Sequence, residues 1–81
     1  MNQLMASEPA VEIFRHNVTS LMDEREISIS KMAMELGISR PGLSRLLAGD
    51  EGLTFDRAEK IADYLGIPLA SLITEKFRQP A

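Results

Sequence analysis

Residues Ser28 to Gly49 read S-I-S-K-M-A-M-E-L-G-I-S-R-P-G-L-S-R-L-L-A-G, two short helical patterns flanking Gly37, Ile38 and Ser39. Each residue type at the junction has a mechanical reason. Ser28 precedes the first helix, whose inward positions are Ile29, Met32, Ala33 and Leu36. Ala33 is small where the two helices must approach closely. Gly37 supplies the positive φ that a tight helix end requires, and Ile38 plugs the turn into the core. Ser39 caps the second helix, which runs from about Arg40 to Leu47 and buries Leu43, Leu46 and Leu47. Arg40, Ser44 and Arg45 are then left projecting outward from its first turns, the presentation that fits a duplex major groove.

The flanking sequence supplies the rest of a core. Upstream, Val11, Phe14, Val18, Leu21 and Met22 recur at steps of three and four, predicting a helix to about Arg25. Ser7 is its candidate cap, with Glu8 and Pro9 in the first turn. Glu8, Glu12, Asp23, Glu24 and Glu26 give that helix an acidic outer face. Downstream, Thr54 caps a fourth helix carrying Phe55, Ala58, Ile61, Ala62 and Leu65, which Gly66 stops. Ile67 and Pro68 open a fifth with Leu69, Leu72, Ile73 and Phe77. The expected organisation is a flexible tail over 1–6, one all-α, five-helix domain over 7–78, and a frayed end over 79–81. No β-alternation, repeat or internal linker interrupts it.

From Ile27 to Ile73 the chain resembles the lambda-repressor-like, XRE-type helix-turn-helix family of phage repressors and bacterial regulators. The likeness includes the downstream Ala58, Ile61, Ala62, Leu65, Gly66, Ile67, Leu69 and Leu72. It implies a compact domain with the helix-turn-helix at its second and third helices, binding double-stranded DNA, commonly as a symmetric homodimer on a palindromic operator. The chain departs from the family's habit at three places. Ile29 stands where DNA-binding members often carry glutamine, Pro41 and Gly42 replace longer polar side chains, and Asp50 and Glu51 make an often basic loop acidic.

Composition bounds the alternatives. Eighty-one residues support one small core, and without disulfides such a domain is expected to self-associate. No cysteine is present, which removes disulfides, thiolate zinc and cysteine nucleophiles together. With a single histidine, His16, there is no material for a histidine metal site or a serine triad. His16 itself is expected to be a surface or satisfied polar residue. The expectation is therefore no enzyme, no cofactor, no metal and no evident small-molecule ligand. No run approaches the roughly 20 apolar residues that span a bilayer, so a cytoplasmic setting is expected, and the resemblance implies that of a bacterium or of a phage's host, with the protein on the nucleoid when bound. A net charge of −3 runs against the basic balance usual in DNA-binding domains, but only one face must be positive.

Function then divides two ways. In the first, a repressor inserts its third helix into the operator. Arg40 and Arg45 read bases, bidentate contact to guanine standing against plain solvated charge, and Ser44 lies between them. Ser28, Lys31, Ser39 and Arg57 face the phosphate backbone, the hydroxyls serving first as caps, and Phe77 adds a dimer contact. The five methionines are assigned to the tail and the core. In the second, the same scaffold is a protein-interaction module such as an antitoxin or an anti-repressor, which the acidic loop and the small residues of the third helix favour.

Overall fold

Each of the three central helices starts on a hydroxyl. Ser28 Oγ accepts from Lys31 N at 3.0 Å, Ser39 Oγ from Gly42 N at 3.0 Å, and Thr54 Oγ1 from Arg57 N at 3.2 Å. These bonds satisfy one of the donors that a helix start leaves orphaned, worth about 1 kcal/mol apiece. They fix the beginnings of α2 (Ile29–Leu36), α3 (Arg40–Ala48) and α4 (Phe55–Leu65), which follow α1 (Pro9–Arg25) and precede α5 (Leu69–Thr74). The computed structural model describes residues 9–49, 52–74 and 76–77, and every regular element among them is an α-helix. The expected cap at Ser7, Glu8, the tail over 1–6, the acids Asp50 and Glu51 and the end over 79–81 lie outside the described residues.

The helix ends repeat a second device. Glu26, Gly37 and Gly66 take φ of 58°, 73° and 73°, and each is followed by an isoleucine: Ile27, Ile38 or Ile67. The isoleucine N–H returns to a carbonyl five residues back, Ile27 to Met22 O at 2.8 Å, Ile38 to Ala33 O at 3.0 Å and Ile67 to Ala62 O at 3.1 Å. This closes the left-handed C-terminal motif that satisfies the last carbonyls. All three isoleucines pack against the core half-buried. At two of the turns the residue after the isoleucine is the serine that caps the next helix, so one short run ends one helix, plugs the core and starts another.

The core gathers Val11, Phe14, Val18, Leu21 and Met22 of α1 with Met32 and Ala33, with Leu43, Leu46 and Leu47, and with Ala58, Ile61, Ala62, Leu65 and Leu72. Two expectations are corrected here. Phe55 is 61% exposed and Leu53 is buried in its place. Phe55 is in phase with Ala58 and Ala62, but it is the first residue of α4, beyond the edge of the core. Met34 is 71% exposed rather than a core filler, because two residues from buried Met32 is about 200° around a helix.

α1 holds the opposite ends of the other helices. Its Arg15 donates from Nε to Leu46 O of α3 at 2.8 Å, and Arg25 from NH1 to Leu65 O of α4 at 2.8 Å. Asn17, the one buried polar residue among the described ones, donates from Nδ2 to Leu72 O of α5 at 2.9 Å. Its Oδ1 accepts from Phe77 N at 2.7 Å, and His16 Nε2 stands 3.3 Å from Phe77 O. Another difference from expectation is that α5 ends at Thr74, short of Phe77, whose N–H goes to Asn17 Oδ1 rather than to a helical carbonyl. Two arginines thus stand at C-terminal carbonyls, where a cation suits the helix dipole.

Candidate nucleic-acid interface

α3 is nine residues long, about 13 Å, and lies on the core along one side only. At about 100° per residue, Leu43, Leu46 and Leu47 define its buried side, and Pro41, Arg45 and Ala48 stand opposite. Arg40 and Ser44 fall on the flank next to Leu47. All five of these outward positions are exposed. Pro41 and Ala48 share the outward surface with Arg40, Ser44 and Arg45, the three expected to contact DNA there. Their i, i+4, i+7 spacing with Arg45 was the signal for it.

Ser44 also lines a shallow groove of about 410 Å³, shared with Thr19, Met22 and Asp23 of α1 and with Ile29 of α2. Ile29 is half-buried there, packed against the core. The residue that departs from the family's usual glutamine is therefore wall material between helices.

The remaining candidates occupy helix starts. Lys31 and Arg57 are the third residues of α2 and α4, exposed, with their backbone N–H groups held by Ser28 and Thr54. Arg40 is the first residue of α3. Each of the three central helices thus has a cation in its first turn, the end where the dipole is already positive. This opposes the macrodipole at about 0.3–1 kcal/mol per exposed group. α1 follows the stabilising rule, with Glu12 in its first turn and Arg25 in its last, and α4 sets Asp56 beside Arg57 in its own first turn. Ser28 and Ser39 are exposed and accept through Oγ, which leaves each hydroxyl proton available to donate outward.

Phe77 lies apart from this set, half-buried beyond α5, its backbone tied to Asn17 of the same chain. Among the described residues no group of three or more His, Asp or Glu is placed to hold a metal ion. Among the same residues no helix is long and apolar enough to cross a membrane.

No curated protein and no solved structure matched the chain. A family model did, that of the Cro/C1-type HTH DNA-binding domain, over residues 17–76. The matched stretch runs from the middle of α1, at the buried Asn17, through all four following helices and contains every capping hydroxyl and every exposed position of α3 described above. The chain belongs to the Cro/C1-type helix-turn-helix DNA-binding family.

Proposed function

We propose that the chain is a sequence-specific repressor of the phage or prophage type, placing α3 in the major groove of an operator. The observation that carries this is the cation in the first turn of α2, α3 and α4. Lys31 and Arg40 sit where they weaken their own helices with no acid in the same turn, Arg57 shares its turn with Asp56, and local rules are broken in this way at sites kept for a ligand. A polyanion is the ligand that repays all three, since helix starts already offer oriented N–H groups to phosphate. Arg40 and Arg45 read base edges, with Ser44 beside them and Pro41 available to a thymine methyl. Ser28, Lys31, Ser39 and Arg57 hold the backbone and set the register.

A palindromic operator calls for a homodimer. The domain measures 35 × 31 × 20 Å, so two copies centred one DNA turn apart, about 34 Å, meet edge to edge. Phe77 supplies the twofold contact through the exposed half of its ring. Phe77→Ala then leaves a monomer in sedimentation, whereas Phe55→Ala doing so instead moves the contact to α4. The protein-module reading draws on exposed Met34 and Phe55, and ionic strength separates it from the first, because duplex affinity falls steeply with salt.

The test is selection of bound duplexes from a random pool, with an inverted repeat as the expected outcome. Against the selected operator, Arg45→Ala costs about 1–3 kcal/mol and relaxes preference at one position. Lys31→Ala weakens all duplexes alike and lowers the salt slope by about one. An Arg40→Ala, Arg45→Ala double variant that binds its best duplex as tightly as the parent refutes the proposal.

A further inference from the structure

The geometry points to Arg15 of α1 as a positioning residue for sequence readout; we propose that it fixes the register of α3 from behind, without touching DNA. The inference rests on the operator-binding reading above. Nine residues make a helix too short to hold itself in water. Its orientation comes from burying Leu43, Leu46 and Leu47 and from what grips its C-terminal end. Apolar packing is non-directional and leaves a short helix some freedom to roll and tilt.

The directional restraint is the bond from Arg15 Nε to Leu46 O at 2.8 Å, which spans 31 positions of sequence. Among the described residues Gly49 N also donates to that carbonyl, at 3.4 Å, so the guanidinium is the closer of these two. The same guanidinium lies against the turn that ends the helix, NH1 being 3.8 Å from where a Cβ on Gly49 would sit. Arg45 directly precedes the gripped residue. Arg40 lies six residues away, about 9 Å along the axis, so a tilt of about 5° about Leu46 displaces the Arg40 backbone by about 0.8 Å. Bidentate base contacts tolerate about 0.5 Å. Losing this grip therefore damages discrimination before it damages attraction to phosphate.

Arg25 supplies the control. It makes the same kind of bond, at the same 2.8 Å and from the same helix, but to Leu65 O at the end of α4. The experiment measures binding of the parent, Arg15→Gln and Arg25→Gln to the selected operator and to random duplex across a salt series, with denaturation midpoints recorded for each. Both variants are expected to lower the midpoint. Arg15→Gln is expected to cut the operator-to-random ratio about tenfold, with random-duplex affinity within about twofold and the salt slope unchanged. Arg25→Gln is expected to keep the parent's ratio within about twofold.

Equal loss of ratio in both variants, or in neither, overturns the inference, because a general softening of the fold does not distinguish α3 from α4. A flattened salt slope in Arg15→Gln also overturns it, by making Arg15 a phosphate contact. If Arg15→Gln does not fold, Arg15→Lys, which keeps the charge and gives up the directional Nε donor, is read the same way with a loss of about threefold. A parent that enriches no sequence overturns the operator reading and this inference with it.

Discussion

Asn17→Ala tests whether α5 is held by hydrogen bonds or by packing alone. The side chain is fully buried and makes two bonds to the C-terminal segment, Nδ2 to Leu72 O at 2.9 Å and Oδ1 from Phe77 N at 2.7 Å. Leu72 O belongs to the last turn of a six-residue helix, where no later helical N–H is available to it. Stranding that buried carbonyl costs about 1–3 kcal/mol. The Phe77 N–H is only part-buried and can turn to water, so its loss adds about 0.5–1.5 kcal/mol. The sum, about 2–4 kcal/mol, is a large share of the roughly 4–12 kcal/mol expected of a domain this size. Urea denaturation followed by far-ultraviolet circular dichroism measures it. With a slope of about 1 kcal/mol/M the midpoint falls by about 2–4 M. Amide exchange at Phe77 should accelerate in parallel. A midpoint within 0.5 M of the parent, or an unchanged Phe77 exchange rate, refutes the hydrogen-bond account and leaves the packing of Leu69, Leu72, Ile73 and Phe77 as the anchor.

Glu26→Gly is expected to stabilise, since Glu26 holds a φ of 58° that costs a non-glycine residue about 1–2 kcal/mol, of which glycine's freer unfolded chain takes back about 0.4–1; a net gain of about 0.5–1 kcal/mol by urea denaturation checks it. Leu53→Ala should lose about 2–4 kcal/mol because Leu53 is 5% exposed, while Thr54→Ala beside it loses only about 1 kcal/mol, the worth of a cap.

The starts of α2, α3 and α4 and the ends of α2 and α4 were legible because each rests on a residue with one physical job. Ser28, Ser39 and Thr54 accept from the third residue of their helices, and Gly37 and Gly66 supply left-handed ends. What periodicity could not show is where a helix face stops being covered. Phe55 satisfies the 3.6-residue rule and still faces water, since the first turn of α4 overhangs the core. Leu53 carried a different signal. It directly precedes a capping hydroxyl, as Ile27 and Ile38 do, and the residue five later is buried in each case: Met32, Leu43 and Ala58. That is the spacing of a hydrophobic staple, read from the cap rather than from the helix. Glu26 went unread as a helix end because glutamate carries no preference for positive φ. Arg15, Arg25 and Asn17 were illegible for a plainer reason: their partners are backbone carbonyls 31, 40 and 55 positions away, and a carbonyl has no sequence signature. For the interface, the exposed row of α3 follows from its three buried leucines, whereas the place of Ile29 in a groove wall needed coordinates.

The two sets of helix ends explain how an acidic chain belongs to a DNA-binding family. Net charge is −3, and much of the acid is on α1 and the turn that ends it, at the exposed Glu12, Asp23, Glu24 and Glu26. The same helix turns three of its polar side chains inward onto the C-terminal carbonyls of α3, α4 and α5, so the negative ends of those helices are occupied within the fold. The positive ends of α2, α3 and α4 remain at the surface, each with a hydroxyl cap and a cation in its first turn. Exposed charges separated by more than about 10 Å are largely screened at ordinary ionic strength. A phosphate at a helix start therefore responds to the local N–H groups and cation more than to carboxylates beyond that distance, while Asp23, on the groove beside Ile29 and Ser44, and Asp56, next to Arg57, are the acids near those starts. Charge segregation, rather than total charge, sets the affinity. Neutralising Glu12 and Glu24 together should accordingly change duplex binding far less than removing Lys31 alone, although the first step alters net charge by two and the second by one.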